Sequence, residues 1–296
     1  MQVISLTKRN MKLFFHDKGL FLTALITPLI LLTLFALFLG NTYEQMVETI
    51  LGANGITTSL ERSFVGAYQL SSLLGTSCIT VAFCTNLLMV QDKVTGARRD
   101  FLMAPLSRAR LSISYFIASE GSILLILMIA TLVGIFYIGS LGYYLTSLRV
   151  LETFGVVCLL STFGTVLSGI LSCFLSTQGQ MTAVSTVVSA VYGFLCGAYI
   201  PLSQISGKIR SVISILPGTF GVNLLRQCLI GDMLVQIEEQ AGSERAKTLA
   251  DAFDIYLYFD YRQIQPQAML VVLTLCTLVF LIVQMMLIGF QKRRKE

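Results

Sequence analysis

The chain contains 296 residues, of which 55% are hydrophobic and 12% are charged, and its formal net charge is +5. A soluble domain usually has about twice this share of charged residues. The composition therefore excludes an ordinary soluble protein, and the mean hydropathy of +0.77 favours a chain that lies mostly inside a membrane.

Six apolar segments are long enough to cross a membrane, because a hydrocarbon core of ~30 Å needs about 20 helical residues. They predict an all-α polytopic membrane protein that forms a single transmembrane domain over residues 1–296. The predicted spans cover about residues 20–39, 65–91, 112–138, 153–175, 181–202 and 264–290.

Basic residues are distributed unevenly between the segments that connect these spans. An even number of spans places both termini on one side, and 13 of the 21 lysines and arginines fall on that side. The positive-inside rule therefore predicts that both termini and the loop of residues 92–111 are cytoplasmic, whereas residues 40–64 lie outside. Because topology and lipid headgroups account for much of the positive charge, no nucleic-acid partner is expected.

The segment before the first span, residues 1–18, predicts an interfacial helix with two faces. Its apolar sector contains Val3, Ile4, Met11, Phe14 and Phe15, and its basic sector contains Lys8, Arg9, Lys12 and His16. Such a helix can lie at the membrane surface with its basic side towards lipid phosphates. Simple anchoring and the docking of a partner protein are both open interpretations.

The loop of residues 92–111 is the only sizeable cytoplasmic connection. It opens with charged residues, turns at Gly96, has room for about two helical turns and stops at Pro105. Phe101 and Leu102 are apolar residues in this charged setting, and Arg98 and Arg99 flank them. An apolar anchor with a basic rim suits insertion into a groove of another protein. The alternative is a solvated basic loop that only fixes orientation.

Glu120 is the one charged residue inside the third predicted span. An ionisable residue within a membrane is costly and usually has a function or a partner. Glu120 could line a cavity, and it could equally reach the interface or pair with a nearby arginine.

The connection between the fifth and sixth spans has two predicted parts. Residues 211–225 are apolar but too short to cross, and Pro217 interrupts them, so residues 201–231 predict a re-entrant segment with helices. Residues 232–262 are polar and net acidic, and they predict a small helical cap outside the membrane.

Residues suited to catalysis are scarce. His16 is the only histidine, which excludes zinc motifs of the H-E-x-x-H type. No G-x-x-x-x-G-K-[ST] loop occurs, so the chain is not expected to bind ATP by such a loop or to be an enzyme. No catalytic, metal-binding or cofactor-binding residue is predicted.

Several motifs together resemble the ABC-2 type transporter permeases, in their drug-resistance-like branch. The matching residues are Arg9-Asn10, Asp17-Lys18 and Pro28 near the N-terminus, Asp92-Lys93, Gly96, Phe101-Leu102 and Pro105 to Arg108 in the loop, and Gly197 to Ser203, Leu216-Pro217, Arg226 and Gly231 after the fifth span. Val94, Ala97 and Ala104 depart from the usual loop pattern. The resemblance covers nearly the whole chain.

The resemblance implies the transmembrane subunit of an ABC exporter in the plasma (inner) membrane. Two permease chains, identical or paralogous, would act with two cytoplasmic P-loop ATPase subunits that bind ATP and Mg²⁺. The residues that would couple the permease to the ATPase are Gly96, Arg98, Arg99, Phe101, Leu102 and Pro105 in the loop, with Arg9, Phe14, Phe15, Asp17 and Lys18 as a second contact. The substrate would pass between the two permeases, beneath the segment that contains Pro201, Pro217 and Arg226.

The nearly charge-free spans favour an amphipathic or lipophilic substrate, such as a drug, a hydrophobic peptide or a lipid-linked molecule. Two other function classes are weighed against the exporter. An ion-coupled secondary multidrug transporter would need ionisable groups near the midplane or inverted repeats, which the sequence does not clearly offer. A receptor or sensor component without transport is the other alternative.

Overall fold

The structure, a computed structural model, describes residues 2–52, 56–103, 106–205, 208–259 and 262–293. Pro105 therefore lies outside the described residues, and so do the side chains of residues 27, 36, 102, 208 and 288–293. The described chain is 86% helical, in agreement with the predicted all-α architecture.

Twelve α-helices make up the described part of the chain. They are α1 (Gln2–His16), α2 (Lys18–Leu34), α3 (Gly40–Leu51), α4 (Thr58–Val94), α5 (Ala97–Met103), α6 (Arg108–Ser140), α7 (Ser147–Phe174), α8 (Gln178–Leu195), α9 (Lys208–Ile213), α10 (Pro217–Ala241), α11 (Ser243–Ala252) and α12 (Pro266–Arg293). A π-helical segment, Phe35–Leu39, joins α2 to α3, and a 3₁₀ turn, Leu202–Gln204, precedes α9. Strands β1 (Tyr258–Phe259) and β2 (Arg262–Gln263) pair antiparallel.

Five helical stretches in the described residues are long and apolar enough to cross a membrane. They are Lys18–Leu51, Thr58–Val94, Arg108–Ser140, Ser147–Phe174 and Pro266–Leu287. These stretches correspond to predicted spans one to four and six. The predicted fifth span corresponds to α8, which ends at Leu195 and is not among the five, so the count of six stays a prediction.

Two predicted boundaries differ from the structure. Residues 40–64 are mostly helical, because the first span continues into α3 and α4 begins at Thr58. The boundary predicted between residues 231 and 232 falls inside α10, which is one continuous helix. Met233, Leu234 and Ile237 are buried there, so an apolar face continues into the stretch whose polar composition suggested a separate cap.

α4 is the central helix of the bundle and packs against α2, α6, α7, α8 and α10. Small residues allow this close packing. A Cβ atom on Gly75 would overlap the Val222 side chain, and one on Gly164 would lie 2.7 Å from the Cys78 carbonyl oxygen. The bundle is thus organised around a helix that is itself buried among other helices.

The two ends of the bundle differ in charge. The basic end carries α1, α5 and the turn between α7 and α8, and Lys93 at the end of α4 donates to the carbonyls of Ser172 and Leu175 there. The acidic end carries α3, α11 and the β1–β2 hairpin, and the Arg245 side chain at this end donates to the Leu51 carbonyl at 2.8 Å. Each end therefore has its own set of polar contacts between helices.

Candidate functional site

The N-terminal helix α1 packs along α6. Phe14 is buried, and the Thr7 hydroxyl donates to the Ser114 carbonyl at 3.5 Å. The buried Asn10 shares this face, whereas Ile4 of the predicted apolar sector is exposed. The helix thus turns a partly polar face towards the bundle, which its apolar pattern alone did not indicate.

The predicted helix over residues 1–18 ends two residues early, at His16. Asp17 is the N-cap of α2, and its carboxylate accepts the backbone N–H of Leu20 at 3.1 Å. Lys18 is then the first residue of α2, and Phe15 packs against Phe21 with 5.9 Å between ring centroids. Asp17, Lys18 and Phe15 therefore shape the junction between α1 and α2.

Arg9 forms an ion pair with Asp92 at the end of α4. One guanidinium nitrogen lies 2.6 Å from Asp92 Oδ2 and the other 3.3 Å from Oδ1, so the contact is bidentate. The Tyr115 hydroxyl of α6 donates to Asp92 Oδ2 at 2.5 Å. The Asp92 side chain is 6% exposed and that of Arg9 is 33% exposed. The hydrogen bond with Asp92 raises the pKa of Arg9, so this arginine stays charged.

Phe101 extends this contact to the short helix α5. Its ring centroid lies 4.9 Å from the Arg9 guanidinium carbon, in a cation–π arrangement. The ring also packs against an apolar cluster whose buried members are Met89, Leu111, Tyr115 and Cys173. We call Arg9, Asp92, Tyr115 and Phe101 the inner cluster. It joins α1, α4, α5 and α6, which the sequence separates by up to 106 positions.

The predicted coupling residues differ in their exposure and contacts, both in α5 and in the turn that precedes it. Gly96 adopts a φ of +86°, a conformation that favours glycine, and its carbonyl accepts the Arg99 N–H at 2.8 Å. Arg98 is half-buried and Arg99 is exposed. Phe101, expected to face a partner protein, instead contacts its own chain. Among the side chains that the structure describes in this region, the exposed apolar ones are Met103, at 87% exposure, and Val94, and neither was predicted as a contact residue.

Arg226 is the centre of a second polar cluster. It is 1% exposed, and one of its nitrogens donates to the Gly197 carbonyl at 2.5 Å and to the Tyr68 hydroxyl at 3.2 Å. Its other terminal nitrogen lies 3.5 Å from the Asp254 carbonyl. Pro217 is the first residue of α10, where its fixed φ suits a helix start, and Pro201 precedes the 3₁₀ turn.

Asp254 closes this second cluster from the chain after α11. It adopts a φ of +51°, its Oδ2 accepts the backbone N–H of Ser203 at 3.2 Å, and Arg210 lies 3.9 Å from its Oδ1. Burial raises the pKa of Asp254, against the opposing effect of Arg226. We call Arg226, Tyr68 and Asp254 the outer cluster.

Glu120 lies on α6, and its carboxylate accepts hydrogen bonds from three hydroxyl groups of α7. Ser161 and Thr162 donate to Oε1 at 2.7 and 3.1 Å, and Thr165 donates to Oε2 at 2.6 Å. None of the ion pairs found among the described residues involves Glu120, so pairing with an arginine stays a prediction. Glu120 remains half-buried.

The described residues contain no group of three or more His, Cys, Asp or Glu side chains that could hold a metal ion. Their seven cysteines are all free thiols. The polar contacts instead connect helices, at the basic end through the inner cluster and at the acidic end through the outer cluster. This arrangement can transmit or resist movement between helices.

These features define an all-helical integral membrane protein with a short helix fastened to the basic end of its spans. The family model for ABC-2 type transporters matches residues 1–230, more than three quarters of the chain. The chain therefore belongs to the ABC-2 transporter family and is an ABC-2 permease. No curated protein sequence matches it. Permeases of this family normally act with a cytoplasmic ATPase and often dimerise.

Proposed function

We propose that this chain is the permease subunit of an ATP-driven ABC exporter in the plasma membrane, with both termini cytoplasmic. The inner cluster carries the proposal. It links α5, a helix too short to enter the membrane, to the ends of two spans through an ion pair, a tyrosine hydrogen bond and a buried ring. ATP and Mg²⁺ would be bound by two copies of a partner ATPase.

Closure of the ATPase pair would push on α5, and the inner cluster would carry that movement inward. The movement would reach α4 through Asp92 and α6 through Tyr115. Lys93, one residue on, holds the carbonyls of Ser172 and Leu175, so the turn between α7 and α8 would follow. One local displacement would then reach four spans without a contact of the ATPase with any of them.

The surface that meets the ATPase differs from the sequence-based expectation. Met103 and Val94 offer exposed apolar area, and the exposed Arg99 lies beside them in the chain. Apolar residues at the centre of an interface contribute most of its energy, while charges at the rim contribute less. Met103 is therefore the proposed anchor, and Phe101 holds the helix that presents it.

A second permease chain would pack against α8. Only two residues of this helix, Met181 and Gly193, are buried in the single chain. Its exposed side includes Thr182, Thr186 and Ala190 beside the apolar Val187 and Val191, whereas the exposed residues of α12 between positions 270 and 287 are all large and apolar. Small and hydroxyl side chains suit contact between helices better than contact with lipid. The substrate path would run along this side of α8, between the two permeases.

Purification of the tagged chain from its native membrane tests the proposal. A P-loop ATPase should co-purify in a two-to-two complex, and the complex should hydrolyse ATP while the isolated permease should not. Export that continues after the proton gradient is collapsed separates this function from an ion-coupled transporter. Purification without an ATPase, with transport that stops when the gradient is lost, would contradict the exporter. A chain with no transport at all would instead favour a sensor.

The topology has an independent test. A cysteine at position 98, in a chain whose seven native cysteines are replaced, should be protected from an impermeant thiol reagent in intact cells. Labelling at that position without cell lysis would show that the basic end faces outward, and the ATPase could not reach it.

A further inference from the structure

Glu120 has no basic partner among the described residues that would balance its charge when the carboxyl is ionised. Its three hydroxyl donors come from one face of α7, and each hydroxyl is also within hydrogen-bond distance of a backbone carbonyl of α7. These hydroxyls can therefore orient towards the carboxylate or turn back to their own helix. They orient Glu120, but being neutral they leave its negative charge uncompensated.

An isolated ionised carboxylate is expensive in a poorly hydrated site, and carboxylates in membranes usually face a cation. The same protein also contains an acid with a basic partner. Glu152 also lies on α7, and Arg149 donates to it at 2.9 Å while pairing with Asp232. Glu120 has the polar support of such a site without the basic residue.

Glu120 also lies in an accessible, apolar stripe of α6. Ile113 and Ile117 are exposed, and Leu124 one turn further on is partly exposed. These residues stand seven and three positions before Glu120 and four after it, so all four share one face of the helix. A single half-buried acid in the middle of an apolar face complements a molecule with one positive charge and a lipophilic body.

We propose that Glu120 binds the positively charged group of a lipophilic organic cation, whose apolar part lies along Ile117 and Leu124. Ser161, Thr162 and Thr165 hold the carboxylate in position. This inference rests on the proposed function, because it names the substrate class of that exporter as amphipathic cations.

Binding of radiolabelled tetraphenylphosphonium tests the site, since the charge of this lipophilic cation does not change with pH. The purified full-length complex is placed in phosphatidylcholine nanodiscs, and binding to empty nanodiscs is subtracted. Wild-type protein should bind saturably. Glu120→Gln should bind about tenfold more weakly or worse, because a charge-assisted contact in a poorly hydrated site is typically worth at least that factor. Glu120→Asp should stay within about threefold of wild type.

Three matched variants and one lipid control separate charge from structure. Glu120→Gln keeps the shape and can still accept from Ser161 and donate to Thr165, so it removes the charge alone. Thr165→Val removes one hydroxyl and should weaken binding less than Glu120→Gln does. Glu152→Gln removes an acid that is already paired and should bind like wild type. Adding phosphatidylethanolamine should leave the difference between wild type and Glu120→Gln intact.

Equal binding by wild type and Glu120→Gln, or no saturable binding by wild type, would overturn the proposal. A loss in Thr165→Val as large as in Glu120→Gln would assign the effect to the hydrogen-bonded link between α6 and α7. Loss of the difference in phosphatidylethanolamine would assign Glu120 to a lipid headgroup. Co-purified ATPase and ATP hydrolysis are measured on the same preparations, so failure of the cation site is distinguishable from failure of the exporter.

Discussion

The inner and outer clusters each contain an arginine, an aspartate and a tyrosine, and the inner cluster also contains Phe101, yet the shared residues are arranged differently. In the inner cluster the two charges meet directly, with 2.6 Å between Arg9 and Asp92, and the arginine is partly hydrated. In the outer cluster Arg226 is buried and donates to main-chain carbonyls and a tyrosine hydroxyl, while the Asp254 carboxylate accepts a backbone N–H. Shared residue types therefore do not imply a shared role.

The difference lies in what each cluster would lose if it opened. Arg9 can find water when it separates from Asp92, so its cluster can break and re-form at modest cost. Arg226 has no such alternative, since a buried guanidinium without acceptors is strongly unfavourable. We therefore expect the inner cluster to serve movement and the outer cluster to serve rigidity, and four experiments test this contrast.

Arg226→Met should have the largest effect. It leaves the Tyr68 hydroxyl and the Gly197 carbonyl without their donor in a dry site, and losses of this kind cost about 3–5 kcal/mol. The thermal unfolding midpoint and the monodisperse fraction in neutral detergent measure the effect. Arg245→Met, which removes one contact with the Leu51 carbonyl at the same end, is the control and should stay close to wild type. Similar stability for both variants would show that the outer cluster does not rigidify the fold, and would contradict the proposed difference between the two clusters.

Phe101→Ala combined with Leu102→Ala should weaken ATPase binding by about 2 kcal/mol, because the Phe101 ring holds α5 in the position that presents Met103, and loss of a central apolar anchor typically costs that much. Co-purification yield and binding affinity measure it, and unchanged insertion of the permease is required as a control. Met103→Ala should weaken binding by a comparable amount if that residue is the exposed anchor. Arg98→Ala should do less, and its effect should shrink at high salt because exposed charges are screened. If the double variant transported substrate at the wild-type rate, the loop would only determine topology and would not couple the permease to the ATPase.

Asp92→Asn should separate stability from coupling. Loss of the ion pair should lower the free energy of unfolding by about 1–2 kcal/mol, because the partly exposed Arg9 can form hydrogen bonds with water instead. Substrate-stimulated ATP hydrolysis, however, should fall towards the basal rate. Glu152→Gln provides the comparison, since it removes an ion pair of Arg149 far from α5 and should leave stimulation intact. Normal stimulation in Asp92→Asn would show that the inner cluster only stabilises the fold.

Asp254→Asn should have the smallest effect, and its sign depends on pH. Because burial raises the folded-state pKa of Asp254 above its usual value of 3.8, the carboxyl stabilises the fold when protonated and loses that contribution as pH rises through the raised pKa. At pH 7 the variant should match or exceed wild type by less than about 1 kcal/mol. On acidification the difference should vanish. A variant less stable than wild type at pH 7 would mean that the negative charge is needed beside Arg226 and Arg210.

Hydropathy and charge were sufficient to predict five spans, the basic end and the turn at Gly96, because each depends on neighbouring residues. The contact of Arg9 with Asp92 joins residues 83 positions apart, and no local sequence pattern predicts it. The contact of Phe101 with its own chain was not predicted, for a related reason. An apolar residue in a charged loop can face a partner or its own bundle, and only the packing of α5 decides which.

The outer cluster shows a second limit of prediction. Arg226 flanks an apolar stretch and could have marked its membrane boundary, whereas the fold buries it completely. Residues after position 231 contain enough acids to suggest a separate cap, although buried residues at Met233 and Ile237 extend α10 through the boundary. Composition counts all residues of a helix together, whereas burial depends only on the residues of the face that packs against the protein.

The short connection between α7 and α8 has a consequence for biogenesis. α8, the predicted fifth span, is less apolar than the five stretches that are apolar enough to cross a membrane, and a segment of this kind partitions poorly into lipid when it leaves the translocon alone. Only residues 175–177 separate it from the strongly apolar α7, and Thr177 and Gln180 form a capping box that fixes the start of α8. The two helices can thus enter the bilayer together as a hairpin, with α7 carrying α8 in. Lengthening this turn should lower membrane integration of α8 in a glycosylation-mapping assay, even where the folded structure tolerates the insertion.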